Sequence, residues 1–477
     1  MENKLCHSIR DAVIASGLKD GMTITFNHCL RNGDKVVAAV MKEIHELGIR
    51  DIKINISGMM NGMMEAGLVE MVKDETITSV TLTGNTDILG RMISTGQVKD
   101  PCTFVTHGGR PRAISAGETH IDVDFVAAST ADCMGNCNGV EGPNAFGSIG
   151  YSMTTSRYAD KVVVITDNLV PYPLQRVSID ETVVDYVVKV DAIGDPNLIA
   201  TGIAKPTKDP LALLIADYAA KTIQASGLLK DGFVYQAGAG GPSIATTKNL
   251  LKYMDEGHIH GSHVIGGITG TSVDLLEGGY FDSILDVQCF DRKAAESLLK
   301  DPLRHREISD ICYATPGGLR GGRSCAVDQL DVVILGALEV DLDFNCNVTV
   351  NSAGYVTGGA GGHSDTAAGA KLAMITVPLR RTRFPSIMKK CTSITTPGKD
   401  IDVVVTEYGV AVNPKHKDLP YQLKQNGVKV MSIEELQKKA EELTGAPRQV
   451  KFGDKLVGNV VDRYGNIIDR IYNVIED

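Results

Sequence analysis

Short apolar runs rich in Val, Ile and Leu recur along the chain, and Gly-rich or polar turns separate them from stretches whose apolar residues fall at helical spacing. Runs of the first kind suit strands covered on both faces, and their alternation with helices predicts an α/β fold built on parallel sheet. A helix is expected over 7–18, where Ile9, Ala12, Val13 and Ser16 share one face and Gly17 is the stop signal. A strand over 22–26 follows, then the loop 27–34, a helix to His45 and a strand over 51–56, which together make a βαβ unit. The apolar stretch 330–340 reads as a buried strand. It leads to the loop Gly358-Gly359-Ala360-Gly361-Gly362 and then to a second apolar run ending at Met374. Another inner strand is read at 402–409. Ser432-Ile433-Glu434-Glu435 is a capping box opening a helix, and 460–474 reads as a hairpin about Tyr464-Gly465-Asn466.

The pattern occurs twice. Ile121 to Asn138 matches Leu330 to Asn347 at an offset of 209 positions (Asp122 to Asp331), with Asp132 opposite Asp341. Ala15 to Gly21 recurs from Ala225 and Lys161 to Thr166 recurs from Lys371, both at an offset of 210. Matches at one period predict two related halves, 1–210 and 211–477, joined through the Pro- and Lys-bearing stretch 201–210.

Composition narrows the partners. A net charge of −10 with no extended basic run argues against nucleic acid. No apolar run is long enough to span a bilayer and no signal-peptide core opens the chain, so a cytoplasmic address is expected. The ten cysteines are scattered without a C-x-x-C pair. They read as reduced core residues, and no metal is expected at Cys133 and Cys137, which lack a second ligand pair nearby.

Candidate chemistry lies in loops at the ends of predicted strands, where open α/β sheets bind ligands. His28 and Arg31 in the loop 27–34 are placed to hold a carboxylate, or simply decorate an exposed loop. The turn His107-Gly108-Gly109-Arg110-Pro111-Arg112 is cationic, and so is 316–323 with Arg320 and Arg323, one turn in each half. Guanidinium forks match carboxylates bidentately, although a solvated basic turn reads the same way. The four glycines of 358–362 leave backbone N–H groups open to an anionic or acyl oxygen. Gly238, Gly240, Gly241 and Ser243, between a strand and a helix, can set amides and a helix N-terminus against phosphate. Their spacing is neither a dinucleotide fingerprint nor a P-loop.

These motifs together resemble the CoA-transferase superfamily, and more closely the α subunits of citrate lyases. The resemblance is carried by Phe26-Asn27-His28-Cys29-Leu30-Arg31-Asn32-Gly33-Asp34, His107-Gly108-Gly109-Arg110, Gly117 to Asp122, Gly147-Ser148-Ile149-Gly150-Tyr151, the loop 358–362 and Thr406-Glu407-Tyr408-Gly409. It implies two similar open α/β domains with the active site between them. The implied activity is exchange of acetate for citrate on the phosphoribosyl-dephospho-CoA thiol of an acyl carrier protein, with acetyl-CoA as a surrogate donor and no cofactor of the subunit's own. The implied partners are the β subunit, which cleaves the citryl thioester, and the γ subunit, the acyl carrier protein, in a complex where this chain is itself oligomeric. A stand-alone CoA-transferase for a small di- or tricarboxylic acid, a citramalate lyase α subunit and a non-catalytic sensor are the alternatives.

In that frame Gly358, Gly359, Gly361 and Gly362 are the oxyanion-loop candidates. His28, Arg31, His107, Arg110, Arg320 and Arg323 are the carboxylate clamp, and Gly238, Gly240, Gly241 and Ser243 meet the arm of the thiol cofactor. Two departures stand out. Cys29 replaces the second of a His pair, and Gly266 or Gly267 stands where related CoA-transferases carry a nucleophilic Glu. Exchange within a ternary complex through a mixed anhydride is therefore expected. Glu339, at the end of a buried strand, is read as structural or orienting.

Overall fold

The computed structural model describes residues 3–200, 207–238, 240–313, 325–447 and 450–476. Two large, mainly parallel sheets organise it. The first runs Leu5–Cys6, Tyr186–Lys189, Lys161–Thr166, Val123–Ala128, Thr23–Phe26, Ile52–Ile56, Ile77–Leu82, Cys102–Phe104, Phe452–Val461 and Ile467–Val474. The second runs His305–Glu307, Phe281–Cys289, Gly261–Ile268, Phe233–Ala237, Val332–Gly336, Leu372–Thr376, Val403–Thr406, Gly409–Val412 and Val430–Met431. The central strands are apolar on both faces because helices cover both sides. Val123–Ala128 is buried at every position, and so is Leu372–Thr376.

The repeat is visible in three dimensions. Thr23–Phe26 and Phe233–Ala237 hold equivalent places beside Val123–Ala128 and Val332–Gly336, at the repeat offset. The turns after these last two strands are built alike. Asp132 Oδ1 accepts from the amides of Met134, Gly135 and Asn136 at 2.9, 3.0 and 3.2 Å, and Asp341 Oδ1 from those of Asp343 and Asn345, both at 3.0 Å. One carboxylate satisfies several turn donors in each half, which is why an aspartate recurs there.

Local signals place the strands expected at 22–26 and 51–56 within a residue, as Thr23–Phe26 and Ile52–Ile56, whereas the helix read over 7–18 spans Ile9–Ala15 and the strand read over 402–409 is Val403–Thr406 turning back into Gly409–Val412. Ser8 caps the helix Ile9–Ala15 through Asp11 N, and Ser432 with Glu435 completes a capping box on Ile433–Thr444. The run 330–340 is shorter than expected. It gives Val332–Gly336, then a break before Glu339–Val340, which pairs with Cys346–Asn347 in a separate two-stranded ribbon.

One domain boundary needs correction. The hairpin Phe452–Val461/Ile467–Val474 does not belong with residues 211–447. It pairs in parallel with Cys102–Phe104 and completes the first sheet, through Gly458↔Cys102, Asn459↔Thr103 and Val460↔Phe104. The turn about Tyr464-Gly465-Asn466 marked the hairpin over 460–474, but its first strand begins at Phe452, and its partner strand lies hundreds of positions upstream, where no local pattern points. Among the described residues no helix is long and apolar enough to cross a membrane.

Candidate active site

The strands Thr23–Phe26, Ile52–Ile56, Ile77–Leu82 and Cys102–Phe104 all end in loops on one side of the first sheet, and the glycine loop of the second half closes over them. Between them lies a cavity of about 460 Å³, with His28, Arg31, Ser57, Asn85, His107, Gln288, Phe290, Gly359 and Gly361 among its walls. Two main-chain hydrogen bonds stitch the seam. Gly361 N donates to Thr83 O and His107 N to Gly361 O, both at 2.8 Å. Asp365, just beyond the loop, accepts from Thr106 Oγ1 and Gly108 N, each at 2.8 Å, and so fixes the His107 turn from the opposite half. Burial pushes its carboxyl up to about 6.

The described residues of the expected clamp separate into two groups. His28, Arg31 and His107 line the cavity. Arg31 sits in the left-handed region at φ 53°, and its guanidinium lies 4.9 Å from the ring centroid of Phe290, a cation–π contact that braces the fork. His28 Nδ1 pairs with Ser57 Oγ, and the Tyr151 ring neighbours both imidazoles, 4.6 Å from His107 and 6.2 Å from His28 between ring centroids. Burial and then the Arg110 and Arg31 charges hold His107 down at about 3. Burial, then Arg31, His107 and Arg110, hold His28 well below its usual range. Both rings are thus neutral hydrogen-bonding groups near pH 7, and among the described residues Arg31 carries the positive charge in the cavity wall.

Arg110 belongs to the second group. Its side chain is buried behind the wall, donating to Asn55 Oδ1 at 3.2 Å, Tyr151 O at 2.8 Å and Asp310 Oδ2 at 3.0 Å. A guanidinium so committed cannot clamp a substrate, and the assignment is corrected to a bolt between the halves. The neighbouring Arg112 is neutralised by Glu118 at 2.6 Å, so the turn that reads as cationic exposes little charge. Arg320 and Arg323 lie outside the described residues.

The glycine loop is also more selective than its composition suggests. Gly361 N is consumed by Thr83 O, and Gly358 N points to Thr349 O at 3.3 Å. Neither can serve an oxyanion as it stands. Gly362 caps the helix His363–Gly369 and does not line the cavity. Gly359 does line it, and its amide has no hydrogen-bond partner among the described residues. A glycine is required there, since a Cβ would fall 2.2 Å from Thr83 O. Of the four glycines, Gly359 alone combines a place in the cavity wall with an amide left unpaired among the described residues.

The proposed thiol-arm residues lie elsewhere. Gly238 borders a separate crevice with room for little more than one water, about 10 Å³, alongside Gly267 and Thr269; Gly240, Gly241 and Ser243 are not in its walls. Phe290, a wall residue of the main cavity, packs its ring directly on Gly267 of the crevice, where a Cβ would fall 2.2 Å from it. Glu339 is fully buried and accepts from Asn347 Nδ2 at 2.9 Å, Thr392 N at 2.8 Å and Thr392 Oγ1 at 3.0 Å, the partner set of a structural carboxylate.

Sequence reasoning missed Asn85, Gln288 and Phe290. A neutral amide in a short loop, another near the end of the strand Phe281–Cys289 and a lone aromatic just after it form no motif, and only their place at strand ends marks them, as Asn85 follows Ile77–Leu82.

Two facing parallel α/β halves with a polar cavity between them define a CoA-transferase-type fold, and comparison with known proteins agrees. The α subunit of an Acinetobacter baumannii malonate decarboxylase superposes with a TM-score of 0.67 at 16% identity, covering 94% of each chain, a likeness of fold alone. The family profile "Citrate lyase, alpha subunit (CitF)" matches residues 2–474, and the chain belongs to that family. It is 44% identical over 464 residues to the citrate lyase alpha chain of Klebsiella pneumoniae, covering 97% of this chain and 90% of that one. The Escherichia coli K12 counterpart is 40% identical with the same coverage. A structure described as the putative alpha subunit of citrate lyase from Streptococcus mutans, in complex with citrate, superposes with a TM-score of 0.96 at 45% identity, covering 100% of this chain and 92% of that one.

Proposed function

We propose that this chain is the transferase subunit of a citrate lyase, exchanging the acetyl group on an acyl-carrier-protein thiol for citrate and releasing acetate. The observation that carries the reading is one cavity, shared by both halves, whose wall brings together a stacked guanidinium, donors without partners among the described residues and the unpaired backbone amide of Gly359. The S. mutans structure is a complex with citrate, which supports the choice of acid.

In this reading a citrate carboxylate oxygen attacks the acetyl thioester carbonyl, and the Gly359 N–H meets the oxyanion that forms. The C–S bond breaks to give a mixed anhydride and free thiolate. The thiolate then attacks the citryl carbonyl of the anhydride, the bridging C–O bond breaks, and acetate leaves with the electron pair. No enzyme base is required, and the protein's task is to hold two acids and a thiol at reacting distance. Gly267 supports a path without an enzyme nucleophile, because the Phe290 ring fills the space a longer side chain would occupy. The carrier thiol and its β- and γ-subunit partners belong to the same proposal.

The test is to incubate the isolated chain with acetyl-CoA and a panel of di- and tricarboxylates and follow acyl exchange. Citrate should be exchanged with release of acetate and no oxaloacetate. Oxaloacetate formed by the lone chain contradicts the division of labour. A borohydride-trapped glutamyl thioester contradicts the ternary complex and favours a stand-alone CoA-transferase.

A further inference from the structure

Four residues of the cavity wall each carry a buried side-chain atom with no partner among the described residues: Arg31 Nε, His107 Nδ1, Gln288 Nε2 and Asn85 Oδ1. Leaving such atoms unpaired carries a penalty, so they mark where a ligand's complementary groups belong. The four differ in kind. The Arg31 and Gln288 nitrogens only donate, His107 Nδ1 donates or accepts with its tautomer, and Asn85 Oδ1 only accepts. Carboxylates satisfy donors and bring none of their own at neutral pH, so an acid made of carboxylates alone leaves Asn85 Oδ1 unanswered.

The orientation of that oxygen is fixed. Asn85 is 8% exposed, and its Nδ2 donates to Thr86 O at 3.1 Å while lying against Gly90, where a Cβ would fall 2.6 Å from it. Flipping the amide would set its oxygen against the Thr86 carbonyl. The backbone that carries it is held as well, since Asn85 bridges to Met59 and Thr86 Oγ1 donates to Met59 O at 3.2 Å.

We infer that Asn85 Oδ1 accepts a hydrogen bond from the hydroxyl group of the bound acid, making Asn85 the residue that selects hydroxy-polycarboxylates over polycarboxylates that lack the hydroxyl. The inference rests on the proposed function for the class of substrate, and it holds equally for citrate and for citramalate, both of which carry the group. A site that hydrogen-bonds a substrate hydroxyl discriminates strongly against the analogue without it, because the site's own polar group is then buried unpaired.

The experiment compares citrate with tricarballylate, the same tricarboxylate without the hydroxyl, by kcat/KM in acyl exchange and by Kd in calorimetry on the isolated chain. Wild type should prefer citrate, and Asn85→Ala should lower the citrate values roughly 10- to 100-fold with little change for tricarballylate, erasing the preference. Asn85→Asp, which keeps an acceptor oxygen, should retain the preference while weakening both acids through its charge. Because the two acids are compared on one protein, partial misfolding lowers both and leaves their ratio readable. Equal handling of the two acids by wild type overturns the inference without recourse to any variant. A preference that survives Asn85→Ala but is lost in His107→Phe overturns it in favour of the imidazole. If wild type exchanges neither acid but calorimetry shows the hydroxyl preference and its loss in Asn85→Ala, the transferase reading fails and the selectivity assignment stands.

Discussion

Arg31 combines a strained backbone with a single cationic role, and that pairing explains both its place and its sensitivity. A non-glycine residue at positive φ costs of order 1–3 kcal/mol, and here the 3-10 turn Arg31–Gly33 and the Phe290 stack hold it in place. Arg31→Ala should lower kcat/KM for citrate roughly 10- to 100-fold, mainly through KM, and Arg31→Lys should recover little because it restores the charge without the fork or the stack. Steady-state kinetics on both variants check this. The imidazoles make a prediction of the opposite kind. His107 has its folded-state pKa depressed to about 3, below the unfolded value of about 6.5, so its stability contribution is complete above the unfolded pKa and is lost as pH falls toward 3. His107→Gln should flatten the decline of thermal stability between pH 6 and 4, by about 1.4 kcal/mol for each pH unit lost to this one proton, as read from melting curves. At this scale His28, Arg31 and His107 were legible, because polar residues after strands sit where such sheets bind. The use of Arg110 was not. Its partner Asp310 lies in the other half, and a sequence shows a guanidinium without showing which carboxylate has already engaged it.

The glycine loop shows how an element's composition differs from its use. Gly359 and Gly361 look interchangeable in sequence, yet a Cβ at 359 overlaps the Thr83 carbonyl, while one at 361 has nothing nearer than His107 Nε2 at 3.8 Å. Gly359→Ala should therefore displace the seam and reduce exchange by 10²-fold or more, on the order expected for loss of an oxyanion donor. Gly361→Ala, at φ 50°, should cost about 1–2 kcal/mol of stability and keep most of the activity. Kinetics and melting temperatures of the two variants measure this contrast, and equal losses would return both to a purely structural role. Strands, helices and the two-fold repeat were legible in apolar periodicity and offset because they are local or self-similar. The amide partners of the loop were not, since Thr83 and Thr349 offer ordinary carbonyls that any residue could supply.

At the scale of the molecule the two halves are joined by buried polar contacts. Asp310 receives Arg110 and, at 2.7 Å, Thr154 Oγ1, and burial pushes its carboxyl up to about 6. Arg110→Ala leaves that carboxylate without its cation, and it should cost about 3–5 kcal/mol. The loss should appear in denaturant unfolding, with cavity binding by the surviving folded fraction little changed; a variant of normal stability that fails to bind citrate would put Arg110 back in the clamp. The hairpin Phe452–Val461/Ile467–Val474 ties the chain differently, by supplying the strand that covers Cys102–Phe104. Its consequence is temporal. At translation rates of roughly 5–20 residues per second, the edge at Cys102–Phe104 waits on the order of tens of seconds for the strand that seals it. Throughout that interval the nascent first half presents an open row of backbone donors and acceptors, the kind of edge that recruits other strands. Until Phe452–Val461 pairs there, Cys102–Phe104 is the place where the first half stands open to strand addition.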